Sequence, residues 1–304
     1  MVTIGLSLEN KAQTNKPPKK QPPLYQNEQG RLAYTPDSLG NRIPDFSYCG
    51  YQAGNQTIPN VPVRIVVPAL KGDATLRIQS AIDYVASLPL DKEGFRGTVL
   101  LGKGTFEIMG GLFINVSGVV LRGSDMGENG TIVIGTGVSR ENLITVAGKN
   151  DRKIENKRRI NDPYVPVNAT KLHVANSESL KVGDRLQIHR PSSKEWIQTI
   201  GNEDFGGGIT TLGWKPGQRD IFWDRVIVAL TENEITIDAP LTTALDSTFG
   251  GGYLSTYQWP GRIRQVGIEN LQLISSFDKT NPKDEDHRWV GFRLKTYRML
   301  GCDK

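Results

Sequence analysis

Short β-type segments separated by glycine, recurring about every twenty residues, constrain the fold of this 304-residue chain more than any other feature. From Gly97 the chain contains TVLL, TFEI, LFI, VVL, TIVI and LITV, each shorter than an average strand. VVL follows TVLL by about twenty residues, and LITV follows VVL by about as many again. This recurrence is typical of stacked coils, because aliphatic side chains at matching positions then form one continuous core.

One amphipathic helix precedes the first coil. Asp73 is a good N-cap residue, and Pro89 ends the helical pattern. The apolar residues at helical spacing are Ile78, Ala81, Ile82 and Val85. An antiparallel sandwich with tight hairpins remains an alternative, since it also uses short strands. The glycine-rich corners and the single helix ahead of the first coil favour stacked coils.

Composition divides the chain into successive parts. Residues 1–44 are rich in Lys, Pro, Gln and Asn, which predicts a disordered leader or linker. Residues 45–150 contain the cap and the first coils, 151–261 a β-rich insertion, and 262–291 a return to the coil pattern. Residues 292–304 form an aberrant tail without glycine-spaced aliphatic residues.

The predicted insertion follows a highly charged loop at residues 149–162. Its β-type segments are KLHVAN, DRLQIHR and DRVIVALTENEITIDAPL, the last with a hairpin turn at 231–234. Residues 203–218 are predicted to form a long exposed loop.

The segment from Val63 to Ile134 resembles the N-terminal part of the pectate-lyase-like superfamily. Three motifs stand in order: GD (72–73) with the helix residues IQSAI, then GTVLLGKGTF (97–106), then VVLRG with GTI after it. Lys103 occupies a position where proline is usual. The resemblance implies an all-β fold, an incomplete right-handed parallel β-helix with an N-terminal capping helix and a β-rich insertion. It does not specify the reaction, because the family includes lyases, glycosidases, epimerases and phage tail-spikes.

The resemblance also implies an extended carbohydrate chain lying along one sheet. Uronate lyases of this kind remove the proton beside a carboxylate that Ca²⁺ or Arg neutralises, whereas glycosidases use paired carboxylates. We expect a secreted polysaccharide-active enzyme, a lyase that cleaves uronate-containing polysaccharide by β-elimination. The alternatives are a glycoside hydrolase of the same fold, a non-catalytic carbohydrate-binding or adhesive β-helix, and a structural phage-type fibre.

The densest chemical cluster is KDEDHRW at 283–289. It predicts His287 as an acid–base group, with Asp284 and Glu285 stabilising charge or binding Ca²⁺, the one cofactor considered. No metal-ligand set is identified, and a solvated polar loop is the alternative interpretation.

A second cluster predicts a substrate platform, because indole faces stack on sugar rings and Arg pairs with uronate carboxylates. The predicted substrate-binding residues are Arg190, Trp196, Trp223 and Arg225, with His189 and Trp214 near them in the sequence. The alternative is that the Trp side chains pack the insertion onto the coils. GxSxG, Walker, HExxH and CxxC motifs are absent from the sequence.

The net charge of +5 lies at the two ends, with +2 in residues 1–40 and +3 in residues 291–304. A neutral body argues against nucleic acid. The expected partner, which the resemblance implies, is an acidic polysaccharide, and the chain is expected to be a monomer. No apolar run reaches the length of a membrane span. Residues 1–14 resemble the rear of a secretory signal, which predicts a secreted or periplasmic protein; a disordered N-terminus is the alternative.

The tail suggests a change of reading frame. One codon set for KTYRMLGCDK, read one base earlier, encodes ENIQDAWVRQ, which echoes IENLQLI at 268–274. Our hypothesis is that residues from about 292 onward are out of frame. In that case the 304-residue product is a truncated and inactive form of its parent enzyme.

Overall fold

The computed structural model describes residues 22–204 and 213–295. The strands that precede the antiparallel part are β1 (Leu24–Gln26), β2 (Leu32–Tyr34), β3 (Val63–Val67), β4 (Gly97–Leu101), β5 (Gly104–Ile108), β6 (Leu112–Ile114), β7 (Val119–Gly123), β8 (Thr131–Gly135) and β9 (Asn142–Ala147). They are followed by β10 (Lys153–Arg159), β11 (Tyr164–Val165), β12 (Lys171–His173), β13 (Arg185–Arg190), β14 (Ile221–Thr231), β15 (Glu234–Ile237), β16 (Leu245–Asp246), β17 (Tyr253–Gln258), β18 (Gly267–Glu269), β19 (Gln272–Ser275) and β20 (Val290–Lys295). The α-helices are α1 (Thr75–Ser87) and α2 (Lys194–Thr199), and single 3₁₀ turns lie at Phe46–Tyr48, Tyr51–Gly54 and Ser247–Phe249.

Three parallel sheets contain strands β3 to β9 and β18 to β20. The sheets have the orders β18-β7-β4-β3, β19-β8-β5 and β20-β9-β6. Consecutive strands along the chain therefore enter the three sheets in the same order three times. The predicted recurrence of about twenty residues is the spacing between paired strands, as in the pairing of Gly97 with Val119. The prediction of a mostly β chain with parallel sheets is confirmed.

The core of the parallel sheets consists of side chains from paired positions. Val99 pairs with Leu121 and Phe106 pairs with Val133, and all four side chains are completely buried. Alternation along each strand places one side-chain set inward and leaves the other outward. Burial of each such side chain contributes about 1.5–3 kcal/mol relative to exposure.

Helix α1 covers one end of this core with its predicted apolar face. The buried helix residues are Ile78, Ala81, Ile82 and Val85. The helix begins at Thr75, and Ala74 occupies the N-cap position without a side-chain hydrogen bond, so the N-cap predicted at Asp73 is wrong by one residue. Asp73 Oδ1 still accepts hydrogen bonds from Thr75 N at 3.0 Å and from Met109 N at 3.1 Å. It therefore fastens the first turn of α1 to the end of β5.

Residues 153–258, which we call the antiparallel region, fold between the second and third passages through the parallel sheets. Six strands form a sheet of order β10-β17-β13-β14-β15-β12, and β11 pairs with β16. The region has its own buried cluster, with Leu172, Leu186, Ile188 and Ile227 at its centre. The hairpin predicted at 231–234 is confirmed, because Thr231 pairs with Glu234.

The charged loop predicted at 149–162 is wrong in part, because Lys153–Arg159 form strand β10. Among the described residues, this strand lies at the edge of its sheet and pairs only with β17. Charged side chains are favourable on an edge strand, since they stay in water and discourage pairing with another chain. The charged composition of this segment is therefore explained by its position at the sheet edge. That position cannot be recognised from the sequence pattern alone.

Residues 22–44, within the predicted leader, contain the β1–β2 hairpin. Asn41 Oδ1 accepts hydrogen bonds from the Tyr164 hydroxyl and from Val167 N, both at 2.9 Å, so this stretch contacts the antiparallel region. At the other end, β20 continues to Lys295 and pairs with β9. Residues 1–21, 205–212 and 296–304 lie outside the described residues, so the secretion signal and the change of reading frame stay predictions. Within the described residues, no helix has the length and apolar character that a membrane span requires.

Candidate functional site

A row of three rings crosses three neighbouring strands of the antiparallel region. His189 on β13 pairs in register with Phe222 on β14 and with Tyr253 on β17. The imidazole stacks on the Phe222 ring with centroids 4.6 Å apart and an interplanar angle of 12°, and lies 6.0 Å from the Tyr253 ring. Phe222 is 54% exposed. We call Phe222, His189 and Tyr253 the ring row.

The ring row lies on the outer face of its sheet because of strand alternation. Ile188, Trp223 and Leu254, each one position away from a row residue, are buried in the core of the antiparallel region. Adjacent residues in a strand point to opposite faces. The side chains of the ring row are therefore directed away from that core.

Two cations extend the ring row onto strand β10. Arg159 pairs in register with Tyr253, so the two side chains lie on the same face of the sheet. Lys157 Nζ lies 4.2 Å from the centroid of the Tyr253 ring. Both cations are exposed, and the Arg159 side chain forms no hydrogen bond or ion pair with any described residue. A ligand on the ring row therefore meets a guanidinium group that is open to a carboxylate.

His189 is oriented by a carboxylate. Its Nε2 lies 2.6 Å from Asp220 Oδ2, and both side chains are less than one-fifth exposed. Asp220 Oδ1 accepts hydrogen bonds from the backbone N–H and from the hydroxyl of Ser192, each at 2.8 Å. Burial acts to raise the pKa of Asp220, but the bonds from Ser192 and His189 outweigh it and hold the pKa below its ordinary value. The group is therefore a carboxylate at neutral pH.

Ser192 is held in turn by the backbone of the following loop. Its hydroxyl oxygen accepts hydrogen bonds from Gly217 N at 3.1 Å and from Arg219 N at 3.0 Å. Ser192 is almost completely buried. Hydrogen bonds thus connect the loop to Ser192, Ser192 to Asp220, and Asp220 to His189.

The Nδ1 atom of His189 is the available nitrogen of the ring. Among the described residues it has no hydrogen-bond partner, and it is not one of the completely buried unpaired atoms, so it is accessible in part. Since the Asp220 carboxylate only accepts hydrogen bonds, the neutral imidazole carries its proton on Nε2. Nδ1 then has a free lone pair and can accept a proton from a ligand.

Arg190 and Trp196, two of the predicted platform residues, lie together. The Arg190 guanidinium is 4.6 Å from the Trp196 ring centroid, and Trp196 stacks on Trp214 with centroids 5.9 Å apart. Arg219 lies 4.8 Å from the Trp214 centroid. Burial lowers the pKa of Arg190 and the nearby Asp220 opposes that effect. Each indole thus has both a ring and a guanidinium as neighbours, and the stack packs α2 and residues 213–219 onto the end of β13.

Trp196 lies in the short helix α2. Ser193 caps this short helix by accepting a hydrogen bond from Trp196 N at 3.2 Å.

Trp223 and Arg225 do not join this stack. Trp223 is 6% exposed, and its indole N–H donates to the Thr242 hydroxyl at 3.0 Å. Arg225 donates to the carbonyl oxygens of Ala239 and Pro240, both at 2.7 Å. The prediction of Trp223 as a sugar platform is therefore corrected, because its ring packs in the core; Phe222, one position earlier, is the exposed aromatic residue.

The predicted catalytic cluster at 283–289 does not form, among the described residues, a stack of the kind seen around Trp196. His287 Nδ1 lies 3.8 Å from Asp284 Oδ2, and among the described residues this nitrogen is buried without a hydrogen bond. Asp284 accepts hydrogen bonds from Asp278 N at 2.7 Å and from Asp286 N at 2.9 Å, and these backbone bonds lower its pKa. Glu285 pairs with Arg140. Within the ranges described, no group of three or more His, Cys, Asp or Glu side chains is arranged to hold a metal ion.

Arg288, in the same cluster, has a structural role that the sequence did not indicate. It is 5% exposed, and its guanidinium donates to the Ser139 hydroxyl at 2.7 Å and to the carbonyl oxygen of Met109 at 2.6 Å. Gly137 leaves room for it, because a Cβ there would lie 2.5 Å from Arg288 Nη2. Arg288 therefore fastens the 276–289 segment to the first and second passages through the parallel sheets.

No protein family and no curated protein matches the chain. Similar solved structures include the Gp54 tailspike of Acinetobacter baumannii bacteriophage AP22 in complex with A. baumannii capsular saccharide, at 8% identity and a TM-score of 0.32, covering 74% of this chain and 31% of that one. The tailspike gp49 of Pseudomonas phage LKA1 is 14% identical with a TM-score of 0.31, covering 64% and 28%. The Pseudomonas phage phi297 tailspike gp61 is 12% identical with a TM-score of 0.28, covering 72% and 30%. The chain thus spans less than a third of each tailspike.

Proposed function

We propose that this chain belongs to a polysaccharide-active protein and that its ring row binds an acidic polysaccharide. In this proposal the three parallel sheets are coils of a right-handed parallel β-helix, a fold that the motifs between Val63 and Ile134 also support. Secretion or a periplasmic location is part of the proposal and rests on residues 1–14, which lie outside the described residues.

The observation that carries the proposal is the combination of one exposed and two partly exposed rings with open cations on one sheet face. The C–H faces of sugar rings pack on aromatic rings, and a guanidinium pairs with a carboxylate through two parallel hydrogen bonds. Neighbouring strands are about 4.8 Å apart, so the ring row spans roughly 10 Å from Phe222 to Tyr253. That length accommodates a short stretch of saccharide whose acidic groups reach Arg159 or Lys157.

β-Elimination fits the surroundings of the ring row better than hydrolysis. Hydrolysis needs two carboxyl groups on either side of the glycosidic bond. Here Asp220 is committed to Ser192 and His189, and Asp224, on the same sheet face, forms an ion pair with Arg262 at 2.9 Å. A lyase acting on uronate-containing polysaccharide is therefore our finer proposal, with a hydrolase or a binding protein as the outcomes that would replace it.

Binding to polygalacturonate and to neutral dextran, compared by isothermal titration calorimetry, tests the proposal. We expect binding to the acidic polymer alone. Phe222→Ala should weaken it about threefold to tenfold through loss of ring stacking, and Arg159→Ala should weaken it more strongly at low salt than at high salt.

Matched controls are Phe113→Ala, a ring on a parallel sheet that is 47% exposed, and Lys92→Ala, an exposed cation elsewhere. Neither should change the affinity. Equal losses in the control and ring-row variants, or no binding to the acidic polymer, would contradict the proposal.

A further inference from the structure

The three histidines differ in the partners of their two ring nitrogens, and this difference distinguishes one of them as a candidate proton acceptor. The chain contains three, and all lie in described residues. His173 Nδ1 lies 2.7 Å from Asp162 and its Nε2 lies 3.5 Å from Glu234, so both ring nitrogens face carboxylates. His287 Nδ1 is buried. His189 alone has one nitrogen hydrogen-bonded to a carboxylate and the other without a partner among the described residues and not completely buried.

We infer that His189 is the general base of the chain and that it removes the C5 proton of a uronosyl residue bound on the ring row. Asp220 is the positioning residue, because it fixes the ring with Nδ1 outward. The inference rests on the proposed binding of acidic polysaccharide to this face. It replaces His287, Asp284 and Glu285, which the sequence had indicated, with a site on the antiparallel region.

The proposed step is balanced without a cofactor or redox partner. Nδ1 of His189 accepts the C5 proton, and the electron pair of that C–H bond forms a double bond between C4 and C5. The bond from C4 to the glycosidic oxygen breaks, and that oxygen leaves with its electron pair and takes a proton from water. The imidazolium then returns its proton to water. The products are a reducing end and an unsaturated uronosyl end.

The charges around His189 suit this step. The uronate carboxylate must be neutralised before C5 becomes acidic, and the Arg159 side chain, on the edge strand β10 two strands away from β13, is open for that contact. The imidazolium that forms is stabilised by Asp220 at 2.6 Å. The other titratable groups around the ring are Arg190 on the same strand, and Tyr253 with Lys157 beside it. Phe222 covers one face of the imidazole and reduces its contact with water.

The full chain, incubated with polygalacturonate, alginate and hyaluronan, provides the test. Ultraviolet absorbance of the new double bond measures elimination, and calorimetry measures binding to the same polymers. His189→Gln should lower kcat about a hundredfold to ten-thousandfold while affinity changes less than about threefold. His173→Gln is the control, and its kcat should stay within about twofold of the unmodified chain.

Asp220→Asn gives a readout that a purely structural role would not produce. Loss of the carboxylate destabilises the imidazolium, so the acidic limb of the pH–rate profile should move to lower pH, with Arg190, Lys157 and Tyr253 unchanged. Thermal melting of each variant shows whether it is folded.

Three results would overturn the inference. The first is binding without unsaturated product from any of the polymers, which leaves the proposed binding function standing. The second is loss of rate in His287→Gln with none in His189→Gln. The third is absence of both binding and product, which rejects the inference and the proposed function together.

Discussion

Ser192 donates two hydrogen bonds to the same oxygen of Asp220, one from its backbone N–H and one from its hydroxyl, each at 2.8 Å. The hydroxyl also accepts hydrogen bonds from the backbone N–H groups of Gly217 and Arg219. A single side chain thus connects the loop after α2 to the carboxylate that orients His189.

Ser192→Ala should leave these groups unsatisfied in a buried position and lower the free energy of unfolding by about 1–3 kcal/mol. Urea denaturation followed by circular dichroism measures the change. Ser80→Ala, on the exposed side of α1, is the matched control and should change stability by less than about 0.5 kcal/mol. An equal effect of the two substitutions would show that the Ser192 hydroxyl is unimportant.

Asp220 should make stability depend on pH in the acidic range. Its pKa in the folded chain lies below its ordinary value, so its stabilising effect is present above the unfolded pKa and is lost as pH falls through the folded pKa. Asp220→Asn should therefore lower the melting temperature at neutral pH, and the difference from the unmodified chain should shrink as the pH falls below about 4. A difference that stays constant between neutral and acidic pH would refute the assignment.

Asp238 should make stability depend on pH in the direction opposite to that of Asp220. Burial raises its pKa, although Val226 N donates a hydrogen bond to its Oδ1 at 2.9 Å and Arg225 lies near. For a raised pKa the favourable contribution is fully present below the unfolded pKa and is lost as pH rises through the folded pKa. Asp238→Asn keeps an acceptor for Val226 and removes the buried charge, so it should raise the melting temperature at pH 7 and have little effect near pH 3. A lower melting temperature at pH 7 would show that the charged form is favoured.

Gly137 should not tolerate a side chain. A Cβ at this position would lie 2.3 Å from the Met109 carbonyl oxygen and 2.5 Å from Arg288 Nη2, and would displace the buried guanidinium from its carbonyl partners. Gly137→Ala is expected to lower the free energy of unfolding by about 1–3 kcal/mol, measured by thermal and urea denaturation. Gly102→Ala is the control, because its nearest atom, the Val67 carbonyl oxygen, would be 3.5 Å away. Comparable losses in both variants would argue against a special fit at Gly137.

The parallel sheets could be predicted from the sequence because their signal is local and repeated. Glycine at the corners and short aliphatic runs at a spacing of about twenty residues indicate where each strand lies, and Val99 and Leu121 do pair. Strand β10 could not be predicted in this way. Its partner β17 lies about a hundred residues away, and its charged side chains follow from its place at the sheet edge.

The ring row was only partly predictable. In IFWDRV, strand β14 has an aromatic residue at two successive positions, so period-two alternation does not show whether Phe222 or Trp223 faces outward. The choice depends on pairing with β13, which places Phe222 opposite His189 and Trp223 opposite Ile188. Asp220 was missed as the partner of His189 because the contact spans 31 residues and leaves no mark in either local sequence.

Strands β10 and β17, the first and last of the antiparallel region, pair with each other, with Lys153 opposite Gln258. Once this region has folded, only residues 148–152 and 259–266 separate β9 and β18 from the paired strands. The entropy of closing a loop grows with the logarithm of its length. During folding, the third passage therefore returns to the parallel sheets across an effective loop of roughly fifteen residues, although more than a hundred intervene in the chain. Pairing of β10 with β17 thus reduces the entropy cost of bringing β18 back to the parallel sheets to that of closing a short loop.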